Sequence, residues 1–177
     1  MPSFPMSITE VQVMSRRWLQ ISTGGTLLLS SLFFGTASAL ASAVPLRATI
    51  AITEQVVPST QAGCLLVGAI TGNGTTTRLG AVHLASTDCI NPLSATAFLF
   101  VSDAVVLTVD GGDQLWAAYG GTLSANNGAI KGTYVIIGGT GRFTHATGLG
   151  TIDGVEQIDF ATGQGIGQIQ LKGTLVY

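Results

Sequence analysis

From residue 46 onward, no stretch repeats its apolar positions every three or four residues as an amphipathic helix would, and the clearest segments alternate apolar and polar residues one by one. The final segment states the pattern most clearly. Ile169, Leu171, Leu175 and Tyr177 alternate with Gln168, Gln170, Lys172 and Thr174, which gives a strand one apolar face and one wet face. Gly165, Gly167 and Gly173 share the apolar phase, where a strand glycine marks bending or close approach of another backbone. The segment starting at residue 46 repeats the design: Leu46, Ala48, Ile50 and Ile52 fall on one face, and Arg47, Thr49, Thr53 and Gln55 on the other. Glu54 falls in the apolar phase, either as a carboxylate at a barrel mouth or as a solvated strand end.

The remaining segments are short, rich in Val, Ile, Thr, Ala and Gly, and separated by turn-forming runs: TGNGT, NPLS, DGGD, ANNG, GGTG and ATGQG. Strands are predicted at 46–57, 64–71, 76–87, 96–102, 104–110, 114–124, 130–138, 143–153, 155–160 and 164–176. The fold class is all-β. Strands at both ends of this region suit a closed barrel in which first and last pair, leaving no exposed edge, in preference to a sandwich.

The stretch before residue 44 reads differently. Arg16 and Arg17 precede the mostly apolar WLQISTGGTLLLSSLFF and then small residues at Ala39, Ala41 and Ala43, the order of a signal peptide. Residues 1–43 are therefore expected to be removed on export to the periplasm or the extracellular space, leaving a single domain at 44–177. SRRWLQ resembles a twin-arginine export motif, with Leu19 where phenylalanine is usual and Gln20 departing from the apolar follow-up. Met14 is an alternative start, because residues 1–13 match no part of such a signal.

Charges beyond residue 43 are few: Arg47, Arg78, Lys131, Arg142 and Lys172 against Glu54, Asp88, Asp103, Asp110, Asp113, Asp153, Glu156 and Asp159. Slight acidity without a basic cluster excludes nucleic acid as the expected partner, since phosphate binding needs several cations on one face. Cys64 and Cys89 both lie in the exported part and are expected to form a disulfide. Closing a loop of about 25 residues stabilises a fold by roughly 3 kcal/mol in the chain-entropy account. There is no CxxC, and His83 and His145 stand far apart, so no metal site is expected. Asp110 and Asp113 flank a Gly-Gly turn; two carboxylates make an incomplete calcium site, and a turn-stabilising role is expected.

IGGTGRFTHATGLG, residues 137–150, has the glycine density of a phosphate loop without its mechanics. A Walker loop needs Gly-Lys-Ser/Thr leading into a helix, and the dinucleotide fingerprint needs a third glycine and a helix; both are missing, so no nucleotide cofactor is expected. Gly138, Gly139, Thr140, Gly141, Phe143, Ala146 and Gly148 instead match the signature of dirigent proteins, in the dirigent and allene oxide cyclase type of barrel, with Arg142 in place of lysine. ITGNGTTTRLG, GDQLWAAYGGTL and the ending GTLVY make most of residues 46–177 resemble a group of exported bacterial proteins of unknown function that share the signature. The resemblance implies a closed antiparallel barrel of about eight strands and, from the plant relatives, a homotrimer. It transfers no catalytic residue.

Three functions follow as expectations. The first is an exported barrel that binds a small apolar molecule. The second is a dirigent- or cyclase-like enzyme acting on a reactive organic intermediate, for which Glu54, Tyr134, Arg142 and His145 are the candidate ligand-binding residues. The third is a small outer-membrane or structural surface barrel, in which the apolar phase of the last strand would face lipid. Inward-facing polar candidates favour the second reading, and a solid aliphatic interior would remove both the first and the second.

Overall fold

A computed structural model describes residues 42–177. Apart from its last two positions, the expected signal peptide lies outside the described residues. The chain folds into β1 (Val44–Pro58), β2 (Leu66–Thr76), β3 (Gly80–Ser94), β4 (Ala97–Val109), β5 (Gln114–Ser124), β6 (Ala129–Gly139), a 3-10 turn at Gly141–Phe143, β7 (Thr147–Asp159) and β8 (Gln164–Val176). Each strand pairs antiparallel with the next, and β8 pairs with β1 to close the barrel. Cys64 and Cys89 form the expected disulfide, with Cα atoms 5.3 Å apart, tying the loop before β2 to β3.

Ten predicted strands become eight because two interruptions are not turns. Segments 96–102 and 104–110 are one strand, β4, whose register slips against β5 between Ser102 and Val105, a bulge in place of a break. Segments 143–153 and 155–160 join across Gly154 in β7, which starts at Thr147 because Phe143 belongs to the 3-10 turn. TGNGT is also not a turn. It lies inside β2, where a β-carbon at Gly72 or Gly74 would come 2.8 or 2.7 Å from Ile50 atoms, so these glycines make room for the opposing strand. NPLS likewise closes β3, and the true turn follows at Ala95 and Thr96. DGGD, ANNG and the glycine at 163 are turns, with φ of 93° and 90° at Gly111 and Gly112.

The apolar phase faces inward. Ile50, Ile52, Leu84, Leu107, Leu115, Ile152, Ile169 and Leu171 are buried in one core, while Gln168, Gln170 and Lys172 of β8 are exposed. That polarity corrects the outer-membrane expectation, which requires the apolar phase of β8 to face outward and the glutamines to line the lumen. An outer apolar stripe does cross β5 to β7, where Ala118 pairs with Val135 and Val135 with Leu149; Leu149 is 67% exposed.

The signature folds against the end of the barrel where β6 finishes and β7 begins. Gly141 has φ 54°, and a β-carbon there would collide with the Asp113 carboxylate. The Thr140 hydroxyl accepts the Gln114 N–H at 2.9 Å, and the Phe143 N–H donates to the Thr140 carbonyl at 2.9 Å. These bonds turn Phe143 into the core, fully buried, with its ring 5.1 Å from that of Tyr177. Arg142 lies outside, over the Phe143 ring and 3.7 Å from Asp113. Phe143→Ala is expected to destabilise the domain by about 3–5 kcal/mol, and Arg142→Ala, which removes an exposed ion pair, by about 1 kcal/mol or less. Chemical denaturation of the two variants checks the contrast; equal losses would mean that the arginine holds the turn.

Candidate functional site

The barrel interior is apolar except for one layer. Counted from the end where β1 finishes, the first inward-facing ring is Val56, Leu66, Ile90, Phe98, Leu123 and Ile158. One step deeper stand Glu54 on β1, Asp88 on β3 and Glu156 on β7, and Tyr119, two steps below Leu123 on β5, reaches them through its hydroxyl, with Ser86 and Ser102 beside it. The three carboxyl groups are all buried, with relative exposures of 6% for Glu54, 3% for Asp88 and 5% for Glu156.

Glycines make this burial sterically feasible. In the strand registers Glu54 faces Gly165, Asp88 faces Gly68 and Glu156 faces Gly167. A β-carbon at Gly68 would collide with Glu54 Oε1, and one at Gly165 would come 2.5 Å from Glu156 Oε1. Each long acid thus lies over a gap in the neighbouring strand wall.

Asp88 is well bonded. Its Oδ1 accepts from the Tyr119 hydroxyl and from Ser86 Oγ at 3.1 Å. Ser86 Oγ is 3.0 Å from Ser102 Oγ, which donates to the Thr87 carbonyl at 2.8 Å. The glutamates differ: Oε1 of Glu54 and Oε1 of Glu156 are buried without a partner, as is the Tyr134 hydroxyl deeper in the barrel. Unpaired polar atoms in a dry interior are costly, and a site that receives a ligand is one setting in which they persist.

Burial dominates the electrostatics. Removal from water pushes the Glu54 carboxyl up to about 9, helped by the charge of the neighbouring Glu156. Glu156 is also raised by burial, and its contact with Glu54 opposes that rise, so the two carboxyls act as a pair sharing a proton. Burial raises Asp88 to about 6 against the pull of its Tyr119 and Ser86 hydrogen bonds. The Tyr119 hydroxyl is raised by burial and by the Asp88 charge, so it stays a donor.

The layer opens on space in both directions. Inward is a cavity of about 70 Å³, lined by aliphatic side chains, by Phe100, Tyr119 and Tyr134, and by the acids Glu54, Asp88 and Glu156 themselves. Outward, an open groove of about 390 Å³ runs between Val57, Pro58, Leu66, Phe98, Ile158 and Phe160. Ile90, Phe98 and Leu123 line both spaces, and the Phe98 and Phe160 rings stand 6.0 Å apart at the rim.

The structure separates the four candidates named from the sequence. Glu54 is in the acid layer, which replaces its reading as a solvated strand end, and Tyr134 lines the cavity. Arg142 and His145 are exposed at the opposite end, beside the signature turn, and do not join them. Asp88 and Glu156 complete the layer together with Tyr119, and neither acid is among the sequence candidates. Their signal was present in the period: Val82, Leu84, Ser86, Asp88 and Ile90 keep one phase, as do Ile152, Gly154, Glu156 and Ile158. Asp110 accepts the Ala81 N–H at 3.2 Å, a turn role, and among the described residues no three His, Cys, Asp or Glu side chains converge to hold a metal ion.

The acid layer gives a defined pH dependence. Acids raised in the folded state bind protons that the unfolded chain has lost, so their contribution favours folding at low pH and disappears as pH rises. For Asp88 the loss runs from about 4 to 6 and for Glu54 from about 4.5 to 9. Asp153 and Asp159 are lowered by Lys131 and by Ala161 respectively and act with the opposite sign, below about pH 4. Tm is therefore expected to fall by at least about 5 °C between pH 5.5 and 8.5, and Glu54→Gln is expected to flatten that slope and raise Tm at pH 8.5. A melting series in which Glu54→Gln parallels the unaltered protein would show that Glu54 is solvated.

No protein-family model matches the sequence, and none of the curated proteins matches it. Among solved structures, two dirigent proteins are similar to the fold. The pterocarpan synthase GePTS1 superposes with a TM-score of 0.46 at 15% identity, over 77% of this chain and 86% of its own. The pterocarpan synthase PsPTS1 gives 0.44 at 14% identity, over 77% of this chain and 95% of its own.

Proposed function

We propose that this is an exported small barrel that takes a small, mostly apolar molecule through the Phe98–Phe160 rim and holds its polar end at the acid layer. The observation that carries the reading is the pair of bare buried carboxyl oxygens on Glu54 and Glu156, placed between an apolar groove and an apolar cavity. Apolar walls with a few converging polar groups are the usual composition of a small-molecule site. Export is supported by the disulfide, a bond of oxidising compartments. Self-association into the homotrimer expected from the resemblance would cover the Ala118–Val135–Leu149 stripe; sedimentation of Leu149→Lys as a monomer beside an oligomeric parent is the corresponding test.

A second reading, proton transfer to a reactive organic intermediate, is favoured by one observation. Glu54, raised to about 9 by burial, holds a proton at neutral pH in a site without bulk water, as a general acid must.

The binding reading is tested with the neutral fluorophore N-phenyl-1-naphthylamine. Saturable blue-shifted emission at one site per barrel is expected, and Ala117→Leu, which fills the cavity from β5, is expected to weaken it at least about tenfold. Unsaturable emission, or the same affinity in Ala117→Leu, would remove the interior as the site. An aryl vinyl ether, whose slow step is proton transfer to carbon, separates carriage from catalysis. Turnover that drops about 100-fold in Glu54→Gln marks the enzyme; binding without turnover marks the carrier.

A further inference from the structure

Every Lys, Arg and His among the described residues is exposed, whereas Glu54, Asp88 and Glu156 are at least nine-tenths buried around one point of the interior. A buried group of acids is ordinarily matched by a buried cation, because desolvated charge is tolerated only when paired. Here the protein supplies three hydroxyl groups, from Ser86, Ser102 and Tyr119, and these serve Asp88 and the Thr87 carbonyl. Glu54 Oε1 and Glu156 Oε1 receive nothing.

We infer that the layer receives a primary ammonium group carried on an apolar body: an amphiphilic amine whose head lies among Glu54, Asp88 and Glu156 and whose body extends through the rim toward Phe98 and Phe160. This rests on the proposed reading of the barrel as a small-molecule site. Donor number and charge single out the head group. An ammonium offers three N–H donors and a full positive charge, one donor for each carboxyl group present. A neutral hydroxyl offers one donor and no charge, and a carboxylate meets like charge. A bare metal ion is the other cation that could answer buried acids, but it would leave the apolar groove and its phenylalanine rim without an occupant. The body of the ligand is specified by the ring of Val56, Leu66, Ile90, Leu123 and Ile158, which offers aliphatic contact only, and by the two rim phenylalanines.

The protonation behaviour agrees with this geometry. Glu54 is raised by burial first and by the neighbouring Glu156 charge second, and a cation beside it would restore the carboxylate. Titratable groups facing the site come from β1, β3, β5 and β7 as Glu54, Asp88, Tyr119 and Glu156; none of them is basic.

Three probes of equal length test the inference on the disulfide-intact protein at pH 7.5: n-octylamine, 1-octanol and octanoate, each titrated by calorimetry. Octylamine is expected to bind at least about tenfold more tightly than octanol, with octanoate weakest. Octanol binding as tightly as octylamine would overturn the amine assignment and leave the small-molecule reading standing. Failure of all three would overturn both. The double variant Glu54→Gln, Asp88→Asn, isosteric at both positions, is expected to lose the advantage of amine over alcohol. An advantage that persists in a variant with native circular dichroism would place the amine elsewhere and overturn the assignment; the ranking on the unaltered protein decides the matter if the variant does not fold.

Discussion

The whole structure depends on the closure of β8 onto β1. Once eight strands close, every second residue of each must share one narrow interior, and no strand edge remains to absorb an error. Interior volume is therefore allocated across strands, not along them. Tyr134 can point inward because Gly150 faces it on β7 and Gly173 lies alongside on β8; a β-carbon at either would come 2.6 Å from its hydroxyl. Ile50 and Ile52 use the space left by Gly74 and Gly72 in the same way. The glycines of the inward phase are the negative image of the large side chains opposite them.

The acid layer obeys this rule, and its departure from the rest of the core is chemical, not steric. Each acid has a glycine across the strand, as a buried aromatic would, but two of their oxygens receive no hydrogen bond. Apolar residues of similar volume would fill the same gaps and remove the desolvation penalty. The layer consequently lowers the stability of the barrel at neutral pH, and the deficit sits beside an open groove and not at the tightly packed end. A stability loss concentrated at one end of a cavity is the usual mark of a site shaped for something other than folding.

Period and phase carried the fold a long way in the sequence. Alternation alone implies the all-β class and the inward face of β1 and β8, and it places Glu54 on that face. It failed where glycine was taken as punctuation. Reading TGNGT as a turn ended a strand that continues, because glycine serves both tight turns and close strand packing, and only the partner residue, here Ile50 or Ile52, tells them apart. Ending a strand at 87 and splitting another at 154 hid Asp88 and Glu156, although each continues an unbroken inward phase. Convergence of the four polar residues depends on strand register around the barrel, which local sequence does not encode.

The two ends of the barrel divide the work that a short signature was expected to do alone. GGTGRF builds a turn whose glycines and threonine exist to bury Phe143, and its charged residues stay outside. A rigid plug at that end leaves the other free to keep an open rim of Val56, Phe98, Ile158 and Phe160. The GGTGRF stretch thus accounts for the plug, and the acid layer lies beneath the rim at the other end. The layer's side chains come from β1, β3, β5 and β7, where Glu54, Asp88 and Glu156 lie just beneath the rim and the Tyr119 hydroxyl reaches up to Asp88. Substitution at any of these four positions leaves the plug untouched, so the most recognisable stretch of the sequence is structurally separate from the acid layer.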